Sequence, residues 1–380
     1  MLLSSLRPLA LECAAEFVGT FVLVFLGTAG IAAAAFTTPG MPDLAIERVA
    51  LGWGLAVALA TCLAGPASGA HLNPAVTLAM TVSQHNRSGF AKHKAPVYML
   101  FQLLGATFAG LAVLATFGQA IERFEERLDI ERGHANSSLS AVAFGASFPH
   151  PQLVNTHDGG TTLWEEGDVS AAGAIFLEAL GTMLFVLVQR AVRQGARPTS
   201  DSATASSTIG GCEIVDLPST RRPACPLAPL YIGSALSVLT MVMTPFTQAC
   251  MNPARDFGPR VVAAIAGWGS TAMPGARSSC CWVYLVGPTI GAMAGSLLFD
   301  LVLYPGMQTR EEAAAAWLRR QQQEGDAILE QFEKSTTLLS LTGFDDLTGK
   351  GLHHSNFRES PTPHNYRLSS PGRLGHPFVS

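Results

Sequence analysis

Apolar residues in this chain come in blocks. Six of the blocks, near 11–37, 46–66, 95–118, 171–189, 227–247 and 281–304, reach the roughly 20 residues a helix needs to cross a bilayer. Each predicts a spanning helix. Two further apolar stretches, following Asn73 and Asn252, last only about ten residues before polar or glycine-rich sequence. About ten residues of helix rise about 15 Å, half the hydrocarbon core, so these predict half-helices.

Both short stretches open on the same triplet, Asn73-Pro74-Ala75 and Asn252-Pro253-Ala254. Asn is a favoured N-cap and Pro a favoured first helical residue, so one triplet predicts only a helix start. A capping Asn, however, uses its side-chain oxygen on a backbone N–H while its NH₂ stays available as a donor, which an Asp cap lacks. Other segments recur in the same order: Glu16-Phe17-Val18-Gly19-Thr20 is echoed by Glu178-Ala179-Leu180-Gly181-Thr182, and Tyr98 to Gly105 by Tyr284 to Gly291. The offsets, 162 at Glu16/Glu178, 179 at Asn73/Asn252 and 186 at Tyr98/Tyr284, grow because the second half has longer connections. Each half thus holds three spans and one half-helix. An odd number of spans makes the halves enter from opposite sides, so the two triplets dip in from opposite faces and meet at the midplane. The expected fold is an all-α membrane protein built as an inverted repeat.

Composition agrees: 48% of the 380 residues are apolar and 14% charged, well under the roughly 25% charged of soluble domains, and mean hydropathy is +0.29. The net charge of −4 carries no basic excess for nucleic acid. Seven scattered cysteines, Cys280-Cys281 an adjacent pair, show no metal-ligand spacing and no disulfide framework. No cofactor or metal is expected.

Cations near span ends stay cytoplasmic. Arg87, Lys92 and Lys94 follow span two, Arg190, Arg193, Arg197, Arg221 and Arg222 follow span four, and the tail holds eight more, whereas the connection after span three is rich in Glu and Asp. Both termini are therefore expected inside. The chain divides into an N-terminus (1–10), a first repeat (11–118), an extracellular loop (119–170), a second repeat (171–304) and a tail (305–380). The outer loop carries the sequon Asn136-Ser137-Ser138, open to glycosylation or an unused match; a second at Asn86 falls on the inner side. In the tail, 309–334 reads as a soluble helix and the Ser-, Pro- and Gly-rich stretch from Ser335 as disordered, with Ser360 and Ser370 each before Pro.

Non-helical backbone at membrane depth survives only where it is buried in protein or lines a wet cavity. Gly69-Ala70-His71-Leu72 and Ala249-Cys250-Met251, just ahead of each Asn, are such stretches, and their carbonyls can form a ladder of acceptors. Two helix N-termini facing each other, each carrying about half a positive charge and an Asn donor, repel cations. Arg255 has only Val76 as counterpart in the first copy, so the pore gains one positive charge toward its outer mouth; the alternative is an arginine buried against carbonyls. Asp256 can pair with Arg260 four residues on. Glu16 and Glu178, matched in the repeat, suit hydrogen bonds to loop backbone better than a proton relay. His71 is expected to be held in its loop, and Cys250 to act as a small apolar residue or an exposed thiol.

Ser68-Gly69-Ala70-His71-Leu72-Asn73-Pro74-Ala75-Val76-Thr77, Met251 to Arg260 and Pro226-Leu227-Ala228-Pro229-Leu230 together resemble the major intrinsic proteins, the aquaporins and glycerol facilitators, over residues 11 to about 304. The resemblance implies a right-handed bundle of six helices and two half-helices, a pore in each protomer and a homotetramer in the plasma membrane. It carries the selectivity filter to Trp53, Thr240, Ala249 and Arg255. Asp256, directly after Asn-Pro-Ala-Arg, marks the glycerol-conducting branch. In glycerol facilitators Gly usually stands at the Thr240 position and a second aromatic at the Ala249 position, so this opening should be wider and more polar. Glycerol, urea and similar neutral solutes are expected to pass with water. The alternatives are a water-selective aquaporin and a secondary transporter, which also uses inverted repeats and broken helices. No nucleophile, base and orienting group converge in the spans, so an enzyme is not expected.

Overall fold

The computed structural model describes residues 2–37, 42–83, 90–151, 165, 167–194, 226–275 and 280–341. The sequon at Asn86, Arg87, Arg197, Arg221 and Arg222, and the tail from 342 with Ser360 and Ser370 lie outside the described residues. Residues up to Arg310 form one compact unit and those from Glu311 a second.

The first unit is helical. Among the described residues its long helices are α1 (Leu2–Thr37), α2 (Pro42–Ser68), α4 (Ala95–Leu128), α5 (Ala171–Gln194), α6 (Ala228–Thr247) and α8 (Cys280–Leu298), and six segments have the length and composition to cross a membrane. The half-helices are α3 (Pro74–Val82) and α7 (Pro253–Ala263). A last helix, α9, runs Tyr304–Leu341, past the Ser335 at which the sequence suggested disorder; Leu338, Leu339 and Leu341 are good helix formers. Helix α4 likewise runs ten residues past 118 into the charged stretch. Glu, Arg and Leu there also favour helix, and Arg132 Nε returns to Glu125 at 2.9 Å to tie off the last turn.

Packing repeats the sequence symmetry. Helix α1 packs on α2 and α4 as α5 packs on α6 and α8, half-helix α3 lies against α8, and half-helix α7 against α4. The repeats join where α2 meets α6. There Gly54 and Gly233, separated by the same 179 residues as the two Asn, face one another: a Cβ on Gly54 would lie 2.4 Å from the Gly233 carbonyl oxygen, and one on Gly233 would lie 2.3 Å from that of Gly54. Only glycine permits that approach, the usual device of helices that have no hydrophobic effect to join them in lipid.

The surface is turned inside out relative to a water-soluble protein. Leu51, Leu55, Leu59 and Leu63 form an exposed stripe at four-residue spacing on α2, while Glu16, Thr20, Gln102, Glu178 and Thr182 are buried. Charged groups that would be costly in lipid are thereby held where protein can bond them.

Candidate functional site

Each pore loop holds three residues with left-handed backbone. Gly69, Ala70 and Leu72 have φ of +85°, +50° and +55°, and Gln248, Ala249 and Met251 have +57°, +48° and +51°. Non-glycine residues avoid this region at a cost of about 1–3 kcal/mol each, so something must hold the loops. Two buried glutamates do. Glu16 accepts from the backbone N–H of His71 at 2.9 Å and Leu72 at 2.7 Å, and also from Ser68 Oγ and Gln102 Nε2. Glu178 accepts from Cys250 N–H at 3.0 Å and Met251 N–H at 2.7 Å. At about 1.5–3 kcal/mol per bond to a charged group, these offset strain of the same order. His71 is further enclosed by Phe90 and Tyr98, with ring centroids 4.6 and 5.4 Å away, and its Nδ1 lies 3.3 Å from Thr77 Oγ1.

The two triplets cap their helices and then clasp each other. Asn73 Oδ1 accepts from Ala75 N–H at 2.9 Å, and Asn252 Oδ1 from Ala254 N–H at 3.0 Å. Asn73 Nδ2 donates to Met251 O and Asn252 Nδ2 to Leu72 O, both at 2.8 Å. An amide NH₂ has two hydrogens, so one per Asn is committed to the opposite loop and one remains. The ladder is likewise partly engaged: Leu72 O and Met251 O accept these bonds, and Ala70 O accepts from Arg193 Nη2 at 2.9 Å.

Trp53, Thr240, Ala249 and Arg255 come from α2, α6, the second loop and α7, and all are buried. The Arg255 guanidinium carbon sits 4.7 Å over the Trp53 ring, a cation–π contact. Among the described residues that guanidinium meets no carboxylate or carbonyl partner, so its N–H donors face the cavity. Room for the indole comes from Gly27, where a Cβ would lie 2.3 Å from the ring.

One cavity of about 40 Å³ gathers Trp53, Ala70, His71, Leu72, Asn73, Thr240, Ala249, Cys250, Met251, Asn252 and Arg255. At about 10–15 Å³ per water it has room for roughly three. Gly69, Glu16, Glu178 and Asp256 stand behind its wall.

The Major intrinsic protein family model matches residues 4–299. The chain belongs to that family. Its relatives include the glycerol uptake facilitator protein of Haemophilus influenzae, 32% identical over 77% of this chain and 94% of that protein. The propanediol uptake facilitator of Salmonella typhimurium is 30% identical over 76% and 92%. Among solved structures, the aquaglyceroporin from Plasmodium falciparum superposes with a TM-score of 0.54 at 25% identity, covering 79% of this chain and 99% of that one. Membership makes the chain an integral membrane channel and not an enzyme.

Around the pore of this major intrinsic protein stand residues that the sequence left unmarked. Leu23, Val57, Thr61, Phe185, Gln189 and Leu236 complete the cavity wall; Val57 and Thr61 lie four and eight residues after Trp53, and Leu236 four before Thr240, a spacing that puts each on its neighbour's face. Behind the wall, Asp256 Oδ2 pairs with Arg260 Nε at 2.7 Å and its Oδ1 accepts from Ala146 N–H at 2.8 Å. Arg260 also donates to the carbonyls of Ala146 and Ala272. The connection after α4 is thus folded back onto α7: Gln248 Oε1 accepts from Ser147 N–H, and His150 N–H donates to Pro245 O. At the far end of α3, Arg190 bonds Asp300 at 2.7 Å and the C-cap Ser83 at 2.9 Å, putting a cation where the helix dipole is negative.

Proposed function

We propose that the chain is a passive channel conducting glycerol and other small uncharged solutes, urea among them, together with water, while excluding ions and protons. The observation that carries this reading is the outer constriction: an apolar indole face opposite a guanidinium whose donors have no protein partner among the described residues. An indole suits a carbon backbone; the guanidinium and the Thr240 hydroxyl suit hydroxyl groups along its other edge. The names of the facilitator relatives support a polyol, and Asp256 fits the glycerol-conducting branch.

In this reading Trp53, Thr240, Ala249 and Arg255 are the selectivity filter. Asn73 and Asn252 give the midplane its donors, the carbonyls of 69–72 and 249–251 its acceptors, and Glu16 and Glu178 hold the loops. Two helix N-termini meeting at the Asn pair, with Arg255 above, oppose cations. Both termini face the cytoplasm, the membrane is the plasma membrane, and four copies assemble with a pore in each.

The test is uptake into proteoliposomes. Glycerol should enter down its own gradient at a rate independent of proton and sodium gradients; coupling to either gradient would refute the channel.

A further inference from the structure

The internal symmetry of the chain carries features of the outer constriction to the other end of the cavity. Thr61 and Thr240 are separated by the 179 residues that separate Asn73 from Asn252, as are Ala70 and Ala249. All four line the cavity. An operation that relates the two repeats exchanges the ends of the pore, so Thr61 and Ala70 repeat, at the opposite end, what Thr240 and Ala249 contribute beside Arg255. Eight residues of helix between Trp53 and Thr61 put the two levels about 12 Å apart.

Besides Arg255, whose counterpart in the first copy is Val76, the symmetry breaks at Gly27. Gly27 and Gln189 correspond by the 162-residue offset that relates Glu16 to Glu178. At the outer end Gly27 leaves the space that the Trp53 ring occupies. At the other end the equivalent position carries a carboxamide. Gln189 is 3% exposed and lines the cavity, and its Oε1 accepts no hydrogen bond from the protein. A buried polar atom left in that state costs about 1–3 kcal/mol, unless whatever occupies the pore supplies the missing donor. The neighbouring Ala70 carbonyl is already engaged by Arg193; the Gln189 amide and the Thr61 hydroxyl join the His71 imidazole as polar side chains on this part of the wall.

We propose that Gln189 and Thr61 form a second solute-contacting station, at the end of the cavity opposite the Trp53–Arg255 constriction, which receives the hydroxyl groups of a small polyol as it leaves the Asn73–Asn252 midplane. The proposal rests on the reading of the chain as a neutral-solute channel. A polyol with several hydroxyls sheds more hydration than water does on entering a narrow pore. Protein groups that replace those bonds therefore favour the polyol over water.

The experiment compares stopped-flow glycerol and water permeability of proteoliposomes holding the unsubstituted protein, Gln189→Met and Thr61→Val, both near-isosteric apolar replacements. For Gln189→Met the glycerol-to-water permeability ratio should fall about five-fold, which at about 1.4 kcal/mol per tenfold is about 1 kcal/mol. Thr61→Val should move the ratio the same way by a smaller factor. If one variant does not assemble in the membrane, the other decides. Ratios within about two-fold of the unsubstituted protein, or an equal fall in both permeabilities, would overturn the station and mark Gln189 as wall only. An unsubstituted protein impermeable to glycerol would instead refute the channel reading itself.

Discussion

Arg255 is the one arginine on the cavity wall among the described residues, and its guanidinium lies over the face of Trp53. Removing it takes a positive charge off the cavity wall and bares the indole. Arg255→Ala is therefore expected to admit protons or small cations, measurable as a pH-gradient-driven current that the unsubstituted protein lacks; an equally tight variant would mean the constriction lies elsewhere. Ala249 is the complementary case, since the wall there is a methyl group. Ala249→Phe should narrow the opening and lower glycerol permeability by about tenfold or more, with a smaller effect on water, because a close-fitting site discriminates solutes by roughly that factor per misfit group. Arg255 stood out in the sequence by its charge just after Asn252, whereas Ala249 entered the filter only through the resemblance to glycerol facilitators. Gly27 was not legible there: a glycine in an apolar span is unremarkable until the ring it accommodates is placed against it. Nor was the clasp between Asn73 and Met251 and between Asn252 and Leu72, which joins residues 178 and 180 positions apart.

The half-helices and their caps followed from short apolar runs opening on Asn-Pro, and the glutamates from their repeat. The connection after α4 did not follow. Its acidic composition marked it only as an extracellular loop, yet Phe144 and Phe148 are buried, and backbone N–H groups of Ala146 and Ser147 are bonded to Asp256 and Gln248. Backbone donors look alike in every sequence, so only the fold reveals which carboxylate they meet. This docked segment makes its hold sensitive to acid. Burial pushes the His150 imidazole down to about 4 from its ordinary value of 6.5, whereas in an undocked loop it titrates near 6.5. Between those values the open form binds more protons than the closed form, so docking is fully stabilised above pH 6.5 and weakens as pH falls toward 4. Hydrogen-exchange protection of the Ala146 and Ser147 amides should drop across that window, and a flat profile from pH 7 to 4 would contradict the linkage.

The molecule is an inverted repeat with its two halves in contact at Gly54 and Gly233 and its two loops clasped at the midplane. Each loop is held by a carboxylate from its own repeat, and α2 and α6 close against each other through glycine. Such a frame suits a fixed pore more than one that rocks open to alternate sides, as a secondary transporter must. The sequence disclosed this plan through the order and spacing of its repeated segments, while the distances that make it rigid came only with the fold. Glycerol flux into proteoliposomes, followed by stopped-flow light scattering with and without imposed proton and sodium gradients, tests the central claim most directly. The account predicts rapid uptake proportional to the glycerol gradient and indifferent to both ions; uptake that requires or follows either ion gradient, or no uptake above protein-free vesicles, would contradict it.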